Sequence, residues 1–399
     1  MAIERPYIIV VGDGMGDHPL PELGGKTPLE AAATPNLDRL AREGELGLVR
    51  TVPEGMEPGS DVANLSILGY DPKRYHTGRA PLEAAAMGVS LAPDEIAFRC
   101  NLVTLGGEPG SEIMEDYSAG HITTPEAAEL IRTLGEVLGS EEFAFHPGVS
   151  YRHLLVWKAG FSEVQTTPPH DISGQPVAPY LKKLNLMSLL ELIARSRPLL
   201  AEHPVNRERQ ARNLRPANSI WLWGQGRAPA MPTLAERFGL SGAVVSAVDL
   251  VRGIGRCAGL EALQVPGMTG WLDTNYAGKV AAALAALSPG RLVYLHVEAP
   301  DEASHAGSLE DKLRAIEDFD RLVVGPLLAG LPKGARVLAV TDHYTPIAIK
   351  THSNEPVPYA VWGEGVAASG AAGFNERAAA GGPKVEAGHT LMERLVGRG

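Results

Sequence analysis

The sequence predicts an α/β fold, a mostly parallel sheet flanked by helices with a smaller α+β domain inserted, and three observations carry that prediction. Short apolar runs alternate with amphipathic helical patterns over much of the 399 residues, the rhythm of strand–helix–strand units. Three of those runs stop abruptly at acids or histidines: residues 7–11 at Gly12-Asp13-Gly14, residues 292–297 at Glu298-Ala299-Pro300-Asp301, and residues 337–341 at Asp342-His343. The C-terminal edge of a parallel sheet is where α/β proteins gather their sites, so three such tips predict one shared centre. Finally, 44% hydrophobic and 21% charged residues are ordinary for a globular chain, and the length suffices for a large core that carries an insertion.

Taken in order, residues 7–11 read as a strand, 35–43 as a helix and 47–51 as a second strand. The helix has Thr34 as N-cap, Pro35 at the first helical position and Gly44 where a left-handed C-cap is expected. Residues 96–102 alternate as a strand with one polar face. From 106 to 202 the texture changes to a Gly/Pro-rich entry, a helix over 125–138 and short strands at 143–146 and 151–157. The α/β rhythm resumes with strands at 220–223 and 242–245, a helix at 276–287, a strand at 292–297, a long amphipathic helix at 309–328 and a strand at 336–341. The expected core is therefore discontinuous, residues 1–106 with 205–399, and residues 107–204 form the insertion. The Ala/Gly-rich stretch 365–382 reads as a loose surface segment.

A formal net charge of -11 argues against nucleic acid or an anionic membrane as the main partner and points to a small molecule. Cys100 and Cys257, two thiols in a long chain, read as reduced and packed. With no basic n-region ahead of a long apolar stretch and no run able to span a bilayer, a cytoplasmic protein is expected.

Asp301 and His305 are four apart, so a helical turn begun at Pro300 directs both from one face toward a common cation. His352, followed by the stiffening Pro356-Val357-Pro358, lies just beyond the Asp342-His343 tip. Asp13 between two glycines suits a cation better than a pyrophosphate. Gly12-Asp13-Gly14-Met15-Gly16-Asp17 lacks the third glycine of a dinucleotide fingerprint, and Gly25-Lys26-Thr27 lacks the leading glycine of a P-loop. Ser60 falls at the start of a helical pattern, where it serves as N-cap or as a nucleophile; free N–H groups and the positive end of the helix dipole there favour a phosphoryl group. His121, Arg152 and His170 in the insertion are candidate substrate contacts. Arg252 is either a phosphate contact or an ordinary exposed helix arginine.

Asp13, Ser60, Asp301, His305, Asp342, His343 and His352, in that order, resemble the alkaline-phosphatase superfamily. The resemblance is closer to archaeal-type, cofactor-independent (2,3-bisphosphoglycerate-independent) phosphoglycerate mutases. It is carried also by Gly25-Lys26-Thr27-Pro28-Leu29-Glu30-Ala31, Thr34-Pro35-Asn36-Leu37-Asp38, Pro58-Gly59-Ser60-Asp61, Ile67-Leu68-Gly69-Tyr70-Asp71-Pro72 and Asp273-Thr274-Asn275-Tyr276. It implies an alkaline-phosphatase-like core and two divalent ions, manganese foremost, with magnesium, cobalt or zinc as alternatives. By the same resemblance Asp301, His305 and His352 hold one ion, and Asp13, Ser60, Asp342 and His343 the other, with His389 a rival for the last histidine. Ser60 is then the nucleophile of an isomerase that interconverts 3-phosphoglycerate and 2-phosphoglycerate through phosphoserine. Where many relatives carry an arginine-rich segment this chain has Asp116-Tyr117-Ser118-Ala119-Gly120-His121, and Trp223 stands near an expected arginine. That departure leaves a homoserine kinase-like phosphotransferase as the alternative, with a metal-dependent phosphohydrolase behind it.

Overall fold

The computed structural model describes residues 5–108, 110–158, 160 and 163–397. They divide into two compact units, one from the N-terminus to His76 and again from Ala230 onward, the other Thr77–Pro229.

The first unit is built on an eight-stranded sheet. At its centre Tyr7–Gly12 pairs in parallel with Arg291–Val297 on one side and Arg336–Val340 on the other, and Ser241–Val245 continues the parallel run beside Arg291–Val297. Val357–Gly363 is antiparallel to both Arg336–Val340 and Glu45–Val49, so the sheet is mixed though mostly parallel. These central strands are buried on both faces because helices cover both, the usual condition of a parallel sheet. Their register sets Gly12 opposite Val297 and Val11 opposite Val340, so the chain leaves all three strands at one level. That shared exit is what brings the three tips together.

Helix Pro35–Glu43 has the predicted bounds, but its ends are made differently. Thr34 makes no side-chain cap; Asp320, 283 residues from Leu37, accepts from the Leu37 amide at 2.7 Å and from Asn36 Nδ2 at 2.8 Å. Gly44 is extended (φ -123°), not left-handed, and is glycine because a Cβ there would collide with the Val361 carbonyl oxygen. The long amphipathic run appears as Leu309–Asp318, a π-helical segment Phe319–Val324 that carries Asp320, and Gly325–Gly330. The stretch 365–382 is not loose: Phe374 and Ala379 are fully buried, and Glu376 bonds Thr27 Oγ1 at 2.6 Å and the Asp17 amide at 3.2 Å.

The second unit is wider than the expected 107–204. Strand Glu95–Gly106, read as core, pairs antiparallel with both Arg152–Lys158 and Ser219–Gly226, the last also read as core. Both strands are buried over nearly their whole length, including Arg99, Cys100 and Asn101, so the polar face expected for 96–102 is covered. Apolar alternation marks a strand without naming its partner, and here the partners lie inside this unit. Helices Thr124–Leu138 and Met187–Ala201 pack Leu130, Ile131, Leu134, Leu189 and Leu192 into a core with Phe98, Leu102 and Ile220.

Candidate active site

Each tip delivers its side chains for a local reason. Beyond Tyr7–Gly12, the Asp13 amide donates to Val297 O at 2.9 Å, tying this loop to the neighbouring tip. Gly14 takes φ +61°, where a Cβ would strike Asp301 Oδ1 and Thr345 Oγ1, and its amide donates to Asp342 Oδ1 at 3.0 Å. Pro300 occupies the first turn of Ala299–Ala306, and Asp301 and His305, one turn apart, meet at 3.2 Å. Asp342-His343 follows Arg336–Val340, and the Ser353 amide bonds back to Tyr344 O at 3.0 Å, which returns His352 to the same edge.

Two groups of three result, each with its ligand-type atoms within 4.8 Å of one another: Asp301, His305 and His352, and Asp13, Asp342 and His343. In the first, His305 Nε2 lies 3.0 Å from His352 Nε2, and His352 Nε2 is 3.6 Å from Asp301 Oδ1. In the second, His343 Nε2 is 3.4 Å from both Asp13 Oδ1 and Asp342 Oδ2. The His343 and His352 rings, 4.2 Å between centroids, join the groups. Ser60 is the first residue of Ser60–Ile67, with Gly59 as N-cap. Its hydroxyl therefore does not cap the helix and stands 3.2 Å from His343 Nε2.

The electrostatics suit cations. Asp13 Oδ1 is buried with no hydrogen-bond partner. Burial, then repulsion from Asp342 and Asp301, pushes the Asp13 carboxyl well above its ordinary range. Burial also raises Asp301, but hydrogen bonds from His305 and His352 outweigh it and hold that carboxyl well below the usual value. The Asp301 bond lifts His305 to about 9, whereas burial lowers His343. Buried carboxylates and imidazoles this close repel or trap protons, and mixed oxygen and nitrogen donors at this spacing fit divalent transition ions.

Several polar residues around these groups escaped the sequence reading. Asn64, one turn after Ser60, donates to Asp342 Oδ2 at 3.0 Å and to Ser60 O at 2.8 Å, while Tyr294 OH donates to Asn64 Oδ1. Thr345 Oγ1 donates to Asp301 Oδ1 at 2.5 Å. His296, fully buried, approaches Asp13, and Lys312 braces the loops behind the site. The i+4 spacing from Ser60 to Asn64 was the one local signal available.

His389 lies on the turn Gly388–Thr390 and joins neither group. Arg252, on Asp249–Cys257, donates to Asp249 Oδ1 at 2.9 Å, and its Nε is buried without a partner. In the second unit, His121, Arg152 and His170 belong to one chain of ring contacts: His121 on Tyr151, Tyr151 on Tyr117, Tyr117 on His170 and His170 on Trp223, with Arg152 over Tyr151. Arg99, buried and paired with Glu83 at 2.9 Å, stacks over Trp223 at 4.1 Å, with Arg79 at 6.0 Å, so arginines adjoin this ring chain although segment 116–121 carries none.

A helix-start serine and two acid–histidine triplets thus lie together at one edge of a mostly parallel α/β sheet. The family described as 2,3-bisphosphoglycerate-independent phosphoglycerate mutase matches residues 41–206. A probable mutase of that name from Geobacter sulfurreducens is 55% identical over 98% of this chain and 100% of its own length. A Methanothrix thermoacetophila mutase is 54% identical over 98% and 99%. Among solved structures, the cofactor-independent phosphoglycerate mutase of Thermoplasma acidophilum superposes with a TM-score of 0.65 at 28% identity, covering 99% of this chain and 100% of its own. The chain belongs to the 2,3-bisphosphoglycerate-independent phosphoglycerate mutase family.

Proposed function

We propose that this protein interconverts 3-phosphoglycerate and 2-phosphoglycerate through a phosphoserine at Ser60. The observation that carries the reading is the Ser60 hydroxyl beside two acid–histidine triplets at one sheet edge. Asp301, His305 and His352 would hold one divalent ion, and Asp13, Ser60, Asp342 and His343 the other, with manganese the leading candidate. Bound there, the ions supply positive charge that stabilises the phosphoryl oxygens and eases loss of the serine proton.

Ser60 Oγ gives up its proton and forms a bond to phosphorus as the bond to the substrate's O3 breaks, and O3 leaves as the glycerate hydroxyl that carries the proton. The glycerate turns, its O2 attacks phosphorus and the bond to Ser60 breaks, so the phosphoryl group ends on the neighbouring carbon. Asn64 keeps the serine helix in register with Asp342 throughout, and the helix N-terminus favours the phosphoryl charge. His121, Arg152 and His170 of the second unit are candidate contacts to the glycerate, in a ring chain adjoined by Arg79 and the buried Arg99. Arg252 is a candidate phosphate contact. The free thiols of Cys100 and Cys257 suit a cytoplasmic enzyme acting on a small phosphorylated metabolite.

An enolase-coupled assay with manganese and without ATP should show turnover of 3-phosphoglycerate. Turnover that requires ATP and yields phosphohomoserine would favour the kinase alternative, and release of free phosphate the hydrolase. Relatives at 50–55% identity carry the mutase name, which favours phosphoglycerate.

Proton competition gives a second expected result. With its pKa raised to about 9, His305 is protonated in the ion-free protein at neutral pH and must lose that proton to become a ligand. Manganese affinity should rise from pH 6.5 to 9, with proton release detected by calorimetry in buffers of different ionisation enthalpy. The His305–Asp301 contact stabilises the ion-free fold fully below about pH 6.5. That contribution is lost as pH rises through about 9. Affinity that stays flat across this interval would argue against His305 as a ligand.

A further inference from the structure

His296 lies on strand Arg291–Val297 directly opposite Val11 and is fully buried. Its neighbours two positions along the same face include Tyr294, which is bonded to Asn64, whereas Val293, Leu295 and Val297 point into the apolar core on the other side. This face of the strand therefore carries two polar side chains toward the serine and its surrounding acids. Neither belongs to the two acid–histidine triplets.

Hydrogen bonding around the ring determines which nitrogen carries the proton. Ser246 Oγ lies 3.2 Å from His296 Nδ1 and already accepts the Val248 amide at 3.0 Å. The tautomer is set at the other nitrogen: a ligating Asp13 carboxylate can only accept, so the ring N–H sits on Nε2 and Nδ1 accepts from the Ser246 hydroxyl. Nε2 lies 3.0 Å from Asp13 Oδ2. The N–H is off the direct line to that oxygen, so Nε2, like Asp13 Oδ1, lacks a well-formed hydrogen bond in a fully buried setting.

We propose that His296, held by Ser246, is a positioning residue for Asp13: it takes Oδ2 as a hydrogen-bond acceptor and thereby presents Oδ1 alone to a divalent ion. The inference rests on Asp13 being a ligand. Outer hydrogen-bond partners of ligating groups commonly change affinity by about 10–100-fold when removed. The apolar alternative, a histidine packed only to fill the strand face, requires no proton on Nε2 and no Ser246 bond.

The test uses the full-length protein stripped with chelator and titrated with manganese by calorimetry, with unbound ion followed by electron paramagnetic resonance. His296→Leu should weaken one of the two manganese sites by about 10–100-fold and leave the other unchanged. His296→Gln, whose amide nitrogen can reach the position of Nε2, should recover most of that loss, which a purely structural role would not predict. If circular dichroism shows His296→Leu unfolded, Ser246→Ala decides, with a smaller loss confined to the same site. Two wild-type affinities in a folded His296→Leu, or in Ser246→Ala when that variant decides, would overturn the proposal. Asp13→Ala separates this from the reading beneath it: if that variant keeps both affinities, Asp13 is not a ligand, whatever His296 does.

Discussion

Ser60→Ala should abolish phosphoglycerate turnover, lowering kcat by at least about 10³-fold, while fold and manganese binding persist. The hydroxyl caps nothing: Gly59 is the N-cap, and the helix is held through Asn64 to Asp342 and by burial of residues 61–67. Removing one half-buried hydroxyl that caps nothing should therefore cost little stability. Five of the six acid and histidine ligand candidates come from the strand tips and from the helix after Arg291–Val297, so they do not depend on Ser60 for position. Loss of phosphoserine, followed by intact-mass measurement after acid quench with 3-phosphoglycerate, should accompany loss of rate. A variant that retains a tenth of wild-type kcat would sink the serine mechanism and leave the ion cluster needing another nucleophile.

Lys312→Met is expected to give the largest stability loss away from the reacting groups. The lysine is fully buried, and its three donors are all used: Asp17 Oδ2 at 2.9 Å, Thr345 O at 3.0 Å and Gly16 O at 3.2 Å. Methionine keeps the length but strands the Asp17 carboxylate, whose remaining partners are the His18 and Ile347 amides. Breaking one side of a buried ion pair costs about 3–5 kcal/mol, far above an exposed pair. Urea unfolding should show that loss, and adding Asp17→Asn should recover part of it by removing the uncompensated charge. Because Gly16 follows Asp13 and Thr345 follows His343, manganese affinity should fall as well. A loss below about 1 kcal/mol would mean that water or repacking replaces the lysine with ease.

Much of the first unit was legible because its signals are local. Helix Pro35–Glu43 has the predicted bounds, and the strands at 7, 292 and 336 differ by a residue at most. Apolar periodicity and the abrupt stop at an acid or histidine are properties of consecutive residues. What misled was pairing. Strands Glu95–Gly106 and Ser219–Gly226 read as members of the main sheet, yet they pair with each other in the second unit, since alternation carries no record of its partner. The Gly44 C-cap and the Thr34 cap failed for a similar reason: residues far away in the chain, Val361 and Asp320, occupy the space or satisfy the amides.

By itself the sequence determined the α/β class, the order Asp13, Ser60, Asp301, His305, Asp342, His343 and His352, and the family resemblance that the relatives bear out. The resemblance also implied how these residues sort into two sets; only the tertiary structure decided that Ser60 Oγ is free of capping duty and that Asn64, His296, Thr345 and Lys312 brace the acids. The physical reason is range. A ligand at a strand end is announced by the residues beside it, but the hydrogen bond that holds that ligand is made to a side chain as far as 278 residues away, as Asn64 is from Asp342, and only the folded sheet brings the two together.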